Sequence, residues 1–104
     1  MKVAITSTGS SLESVLDSRF GRCSYFVIYD TIDKNVEFVI NPNKNALEGA
    51  GPASVQLIAS NNVNEIISFD FGAKIKSLLT SLNIKMTIEK DQTKTVKEII
   101  ETLK

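Results

Sequence analysis

The sequence contains no histidine and only one cysteine among its 104 residues. Without histidine the chain has no imidazole base for a hydrolase triad and no imidazole ligand for zinc, so most triad hydrolases and zinc peptidases are excluded. A single cysteine cannot form an internal disulfide, which favours a reducing, cytoplasmic location. Nor can Cys23 hold an iron–sulfur cluster alone, so any metal role must be shared with other groups.

The sequence also lacks an excess of charge and any long apolar run. Its 12 basic and 12 acidic residues cancel, so no global field draws the chain to nucleic acid or to an anionic membrane. No apolar run approaches the ~20 residues that span a bilayer, and the strand-like opening at residues 1–6 lacks the features of a signal peptide. We therefore expect neither a nucleic-acid nor a membrane partner. We also expect the protein to be a monomer or a weak dimer.

The hydrophobic patterns predict five strands and three helices, in the order β-β-β-α-β-α-β-α, within one domain of residues 1–104. Strands are expected at 2–6, 25–30, 36–40, 65–69 and 84–88, and one helical turn near Leu12 to Leu16. Helices are expected from Gly51-Pro52, after Gly72, and at the capping-box sequence 95–98. Chain-connection rules then favour an α/β, ribonuclease H-like motif. It is a mixed five-stranded sheet of order 3-2-1-4-5, with strand 2 antiparallel and helices on its faces.

The carboxyl ends of the parallel strands are the expected binding edge, as in other open α/β sheets. Gly9 follows the first strand and Gly72 the fourth, and both permit close backbone approach to a ligand. Backbone N–H groups after Gly72 would favour an anion. The loop that carries Gly21, Arg22 and Cys23 leaves the same edge. The alternative is that all of these are ordinary strand–helix connections, which every α/β domain has.

Arg19, Arg22 and Cys23 are the chemically distinctive residues of that loop. The two arginines are the only ones in the chain, and a guanidinium suits an oxyanion or a carboxylate. Alternatively they form surface ion pairs with Glu13 or Asp17. Cys23 is either a thiolate, favoured by Arg22 and suited to a soft metal, or a small buried residue.

Catalytic residues are not expected. A two-metal nuclease on this fold would need converging carboxylates, one of them within the first strand, but that strand contains Val3-Ala4-Ile5. No nucleophile–base pair is recognisable elsewhere. Gly49-Ala50-Gly51-Pro52 lacks the ending of a phosphate-binding loop and is better interpreted as a helix start.

Several segments together resemble the dinitrogenase iron-molybdenum cofactor biosynthesis family, over essentially the whole chain. The most specific match is the block Arg19-Phe20-Gly21-Arg22-Cys23-Ser24-Tyr25-Phe26. The others are the first strand, the Gly49–Pro52 helix start, the strand–Gly72–helix unit and the segment 95–100.

The resemblance implies a ribonuclease H-like fold and a non-catalytic carrier of an iron-molybdenum or related metal-sulfur cluster, accessory to metallocluster assembly. Assembly or acceptor proteins are the implied partners. The expected cofactor-binding residues are Gly9, Arg19, Gly21, Arg22, Cys23 and Gly72, with Cys23 as the candidate metal ligand. The alternative function is a metal-free protein-interaction or regulatory domain of the same fold.

Overall fold

The computed structural model describes residues 1–104 and contains five strands and three helices in the predicted order. The strands are β1 (Lys2–Ser7), β2 (Tyr25–Asp30), β3 (Val36–Ile40), β4 (Glu65–Ser68) and β5 (Lys85–Ile88). The helices are α1 (Ala50–Ser60), α2 (Ala73–Ser81) and α3 (Val96–Glu101). None of these helices combines the length and apolarity that crossing a membrane requires.

The strands form one mixed sheet of order β3-β2-β1-β4-β5, which confirms the predicted topology. β1 pairs antiparallel with β2 and parallel with β4, so Ile5 lies opposite Val27 on one side and Ile67 on the other. β2 and β3 form the antiparallel hairpin, and β5 extends the parallel half. The carboxyl ends of β1, β4 and β5 therefore lie at one edge of the sheet, where the binding site was expected.

Both faces of the sheet are covered by helices. Alternate residues of β1 point to opposite faces, so Ala4 packs under α1 and α2 whereas Val3 and Ile5 pack under α3. Five of the six residues of β1 and four of the six of β2 are correspondingly buried, as is expected of strands covered on both faces. The core therefore has two halves that share the central strands.

The segment between β1 and β2 differs in part from the prediction. One hydrogen-bonded turn forms, in which the Ser14 amide donates to the Ser11 carbonyl at 3.1 Å, but no helical structure continues to Leu16. Instead Ser7 bridges to Leu16, and Val15 bridges to Thr95. The Leu16 amide donates to the Lys94 carbonyl at 2.9 Å. Pairing with the distant segment before α3 thus replaces the local bonds that a helical turn would make. A smaller difference is that α1 begins at Ala50, so Pro52 is its third residue.

Candidate functional site

An open cleft of about 530 Å³ lies at the predicted edge of the sheet. Three segments line it: residues 18–22 of the loop before β2, residues 49–52 at the start of α1, and residues 70–72, 74 and 75 around the start of α2. The cleft therefore lies where two helices begin and where residues 18–22 meet them.

Both helices that begin at the cleft lack a side-chain cap. Their N-cap residues are Gly49 and Gly72, which have φ angles of 73° and 77° and contribute no capping hydrogen bond. The first amides of each helix donate to no protein acceptor; they belong to Ala50, Gly51, Ala73, Lys74 and Ile75. Such free N–H groups, with the positive end of the helix dipole, favour an anion. Because two helices begin at one cleft, the cleft has two such sets of free N–H groups.

Gly21 brings the loop before β2 directly onto the start of α1. A Cβ atom on Gly21 would lie 2.9 Å from both the N and the Cα atom of Gly51, closer than a side chain can approach backbone. Ser54 and Asn41 hold the same loop through the carbonyl oxygen of Gly21. Ser54 Oγ donates a hydrogen bond to this oxygen at 3.1 Å, and Asn41 Nδ2 donates another at 3.0 Å. The cleft wall is thus fixed through backbone contacts.

Three cationic side chains and one carboxylate surround the cleft. Arg19 Nε lies 3.3 Å from Asp17 Oδ1, and this hydrogen bond raises the pKa of Arg19. The ion pair considered for Arg19 therefore forms, with a buried Asp17, although 57% of the Arg19 side chain stays exposed. Lys74 has no acidic partner. Asp70 Oδ1 accepts the Phe71 amide at 2.8 Å, so this carboxylate is engaged with its own turn.

Arg22 connects two loops at the cleft rim. Its Nη1 atom donates to the Ala46 carbonyl at 2.6 Å and, less closely, to the Lys44 carbonyl at 3.4 Å. The guanidinium therefore forms no ion pair with Glu13 or Asp17. It holds the 41–49 loop beside the cleft while keeping its positive charge at the rim.

Cys23 lies beneath the cleft rather than in its lining. The residue is fully buried, and this burial raises the pKa of its thiol to about 12, with the nearby Asp17 charge acting in the same direction. Asn41 Nδ2 donates to the Cys23 carbonyl at 3.0 Å and approaches Sγ at 3.8 Å. The thiol is thus protonated and packed in the core near neutral pH. The role of Cys23 as a metal ligand stays a prediction.

The cleft brings together four of the six predicted site residues: Arg19, Gly21, Arg22 and Gly72. Gly9 lies outside it and is held by Ser7, whose Oγ donates to the Gly9 carbonyl at 2.7 Å. No three side chains of the histidine, cysteine, aspartate and glutamate types come together as a metal-binding group.

Three contributors to the cleft were not among the predicted site residues: Lys74, the Gly49–Pro52 helix start and the buried Asn41. Lys74 follows the Gly72 turn by two residues, within the segment expected at this edge, but it was not named as a binding residue. The sequence indicates that Gly49–Pro52 begins a helix, but it does not indicate that this segment lines a cleft. Asn41 follows directly after a strand and precedes Pro42, which alone does not indicate that it holds the loop before β2.

Comparison with known proteins finds a curated relative by sequence and solved structures that have a similar fold. A curated but uncharacterized protein of Methanocaldococcus jannaschii is 34% identical over 87 residues, covering 81% of this chain and 70% of the relative. The apo form of the orange protein from Desulfovibrio gigas superposes with a TM-score of 0.89 at 27% identity, covering 96% of this chain and 83% of that protein. A candidate NifB protein from Thermotoga superposes with a TM-score of 0.82 at 37% identity, covering 97% and 84%.

The family comparison spans the complete sequence. The family model described as dinitrogenase iron-molybdenum cofactor matches residues 1–104, including all three segments of the cleft. The sheet order agrees with the fold that the resemblance implied. This chain is a member of the dinitrogenase iron-molybdenum cofactor family.

Proposed function

We propose that this protein is a non-catalytic carrier that holds a preassembled, anionic metal-sulfur cluster in the cleft between the starts of α1 and α2. The observation that carries the proposal is the convergence of two uncapped helix starts on one open cleft beside the unpaired Lys74. Membership of a family related to the iron-molybdenum cofactor supports a metal-sulfur species as the anion.

The residues of the cleft fit a cluster held mainly by charge and backbone amides rather than by protein ligands. Sulfide at the surface of a cluster accepts hydrogen bonds, and the free amides of Gly51 and Lys74 are suitable donors. Lys74, Arg19 and Arg22 would offset the cluster's negative charge. Cys23 would reach the cargo only if the loop that carries it opened, because the thiol is buried. Binding without a covalent attachment suits a protein that must later release its cargo intact.

The cleft is open, which suits direct transfer between proteins. A carrier of this kind would receive the cluster from an assembly protein and pass it to an acceptor protein. Gly49 and Gly72 add no side chain at the cleft, and an added Cβ would meet no atom within 4 Å at either position. A partner could therefore approach the cargo without displacing a lid.

The test is anaerobic binding of two probes, tetrathiomolybdate and an iron–molybdenum–sulfur species, measured by equilibrium dialysis and metal analysis. Lys74→Ala is expected to weaken binding roughly two- to five-fold, as for an exposed charge contact, and added salt should weaken it further. Lys76→Ala is the matched control, because Lys76 is an exposed lysine of α2 outside the cleft.

Two outcomes would contradict the proposal. One is the absence of uptake of either probe by the unmutated protein under several reconstitution conditions. The other is an equal loss of affinity for Lys74→Ala and Lys76→Ala, which would indicate a general charge effect. Cys23→Ala tests the ligand prediction separately: a loss larger than that of Lys74→Ala would indicate that Cys23 leaves the core to bind the cargo.

A second candidate function is a protein-interaction or regulatory domain that binds no metal. The observation that favours it is the fully exposed side chain of Leu47, which follows Ala46, the residue that Arg22 holds at the cleft rim. The metal-free chain would then bind a defined assembly protein with an affinity that Leu47→Ser reduces and Cys23→Ser leaves unchanged. Binding that requires the loaded cluster would favour the carrier instead.

A further inference from the structure

A second cleft, of about 410 Å³, lies on the face of the sheet that α3 covers. It shares no residue with the cleft between the starts of α1 and α2, which is called the cargo cleft below. The second cleft is enclosed by α3, by the β2–β3 hairpin and by Leu12 from the loop after β1. Its volume falls within the ~300–1,000 Å³ range of small-molecule sites. We propose that this cleft binds an apolar monocarboxylate, with the apolar body inside and the carboxylate between Lys34 and Lys97 at the rim.

The interior of this cleft is apolar. Tyr29 and Val36 lie directly opposite each other in the β2–β3 pairing and face α3, which contributes Ile100. Leu12 closes another side and is held to α3 through its carbonyl, which accepts the Lys97 amide at 2.9 Å. Because these walls belong to a sheet and a helix packed on it, the cleft is formed before any ligand binds. An apolar molecule would lose water-exposed surface on entering it.

Tyr29 supplies a polar group within these apolar surroundings. The residue is 1% exposed, and its phenolic oxygen is the one buried side-chain polar atom that no protein group hydrogen-bonds. Buried polar groups are nearly always paired, so an unpaired one on the wall of a cleft indicates a place for a partner. A ligand with a hydroxyl or carbonyl group at its inner end would supply that partner.

The rim selects the charge of the ligand. Lys34, Lys97 and Lys104 surround the opening together with Glu101. Glu101 Oε1 lies 3.4 Å from Lys104 Nζ, so these two charges offset each other. Lys34 and Lys97 are exposed and have no acidic partner, which leaves two positive charges above an apolar interior. This arrangement complements a monoanion with an apolar body rather than a neutral or cationic molecule.

The test uses three matched probes in nuclear magnetic resonance titrations of the full chain: 4-hydroxyphenylacetate, phenylacetate and the neutral phenylacetamide. Saturable shifts are expected at the amides of Val36 and Ile100. Phenylacetate should bind more tightly than the neutral amide. Lys34→Ala and Lys97→Ala should each reduce the affinity for phenylacetate roughly two- to five-fold, as for exposed ion pairs. Lys90→Ala, an exposed lysine outside the cleft, should leave it unchanged.

Tyr29→Phe tests the polar group without emptying the cleft. The unmutated chain should bind 4-hydroxyphenylacetate more tightly than phenylacetate, and Tyr29→Phe should remove that preference while leaving the affinity for phenylacetate unchanged. Shifts confined to the cargo cleft would overturn the proposal. So would the absence of saturation with any probe, or an affinity for phenylacetamide equal to that for phenylacetate. Because no residue is shared, Lys74→Ala should not affect this site, and either cleft can fail its test without the other.

Discussion

The three helices of this protein begin in two different ways. α3 begins with a complete capping box, in which Thr95 Oγ1 accepts the Glu98 amide at 3.1 Å and Glu98 Oε1 accepts the Thr95 amide at 3.0 Å. α1 and α2 begin at glycine and have no side-chain cap. Since all three helices need partners for their first amides, the difference shows where the chain satisfies these amides itself and where it leaves them without a protein partner.

The two uncapped starts differ from the capped one in their surroundings as well. The start of α3 lies against the segment around Leu12 to Leu16, which is bonded to it by backbone. The starts of α1 and α2 share an open cleft with Arg19, Arg22 and Lys74. The uncapped starts therefore lie where positive side chains gather, and the capped start lies where the chain packs on itself.

The largest effect is expected from alkaline pH, acting through Cys23 in the loop that lies on α1. Burial raises the pKa of the folded thiol from 9.0 to about 12. The folded state therefore keeps a proton that the unfolded chain loses, so this stabilisation is complete below pH 9 and is lost between pH 9 and 12. The loss reaches about 1.4 kcal/mol per pH unit. Urea unfolding of the parent and of Cys23→Ala across this range measures it.

The comparison of slopes isolates the thiol, because lysine and tyrosine titration is common to both chains. Cys23→Ala should be less stable at neutral pH, where it leaves a small cavity, but should lose stability less steeply above pH 9. Parallel slopes would mean that the thiol titrates as in the unfolded chain. The loop over the start of α1 would then be loosely packed rather than fixed.

Gly21→Ala is expected to destabilise the protein by about 1–3 kcal/mol, because its Cβ would collide with the backbone of Gly51. The loop must then rise from the start of α1, so binding of tetrathiomolybdate should weaken as well. Urea unfolding and equilibrium dialysis measure the two effects. Gly51→Ala is the matched control: its Cβ would meet Ile75 Cδ1 at 2.7 Å, the movable end of a side chain. Equal costs for the two variants would contradict the backbone contact.

Gly72→Asn tests why α2 lacks a side-chain cap. Gly72 has φ 77° and ψ 149°, a conformation that only glycine adopts readily, so the substitution should cost about 1–3 kcal/mol through strain. Gly49→Asn should cost less, because φ 73° and ψ 13° lie in the left-handed region that asparagine tolerates, as Asn62 does here. Thermal unfolding compares them. A larger cost at Gly49 would show that neighbouring contacts, not backbone strain, determine these positions.

The sequence predicts the elements well where the signals are local. The capping box depends on a spacing of three residues, and the alternation of Val36, Phe38 and Ile40 depends on a period of two. The predicted helical turn does not extend to Val15 and Leu16, because their partners Thr95 and Lys94 lie at the far end of the chain. A local pattern cannot report that a distant segment competes for the same amides.

The same limit applies to the cleft. Its position and four of its residues follow from the rule that ligands bind at the carboxyl ends of parallel strands. The contact of Gly21 with Gly51 and the hydrogen bond from Asn41 to the Gly21 carbonyl join parts of the chain that are separated by several elements. Burial of Cys23 likewise depends on how the loop folds over α1, so the sequence alone left its two interpretations open.

The smallest effect is expected from breaking the one complete cap. Thr95→Ala removes the oxygen that accepts the Glu98 amide and should destabilise the protein by about 1 kcal/mol. Thr95→Ser keeps that oxygen and should retain most of the stability, as measured by urea unfolding of both variants. Neither substitution should change tetrathiomolybdate binding, because the amides exposed at α3 lie away from the cargo cleft. A change in binding for Thr95→Ala would mean that the capped and uncapped helix starts are coupled, and their separation into structural and functional ends would fail.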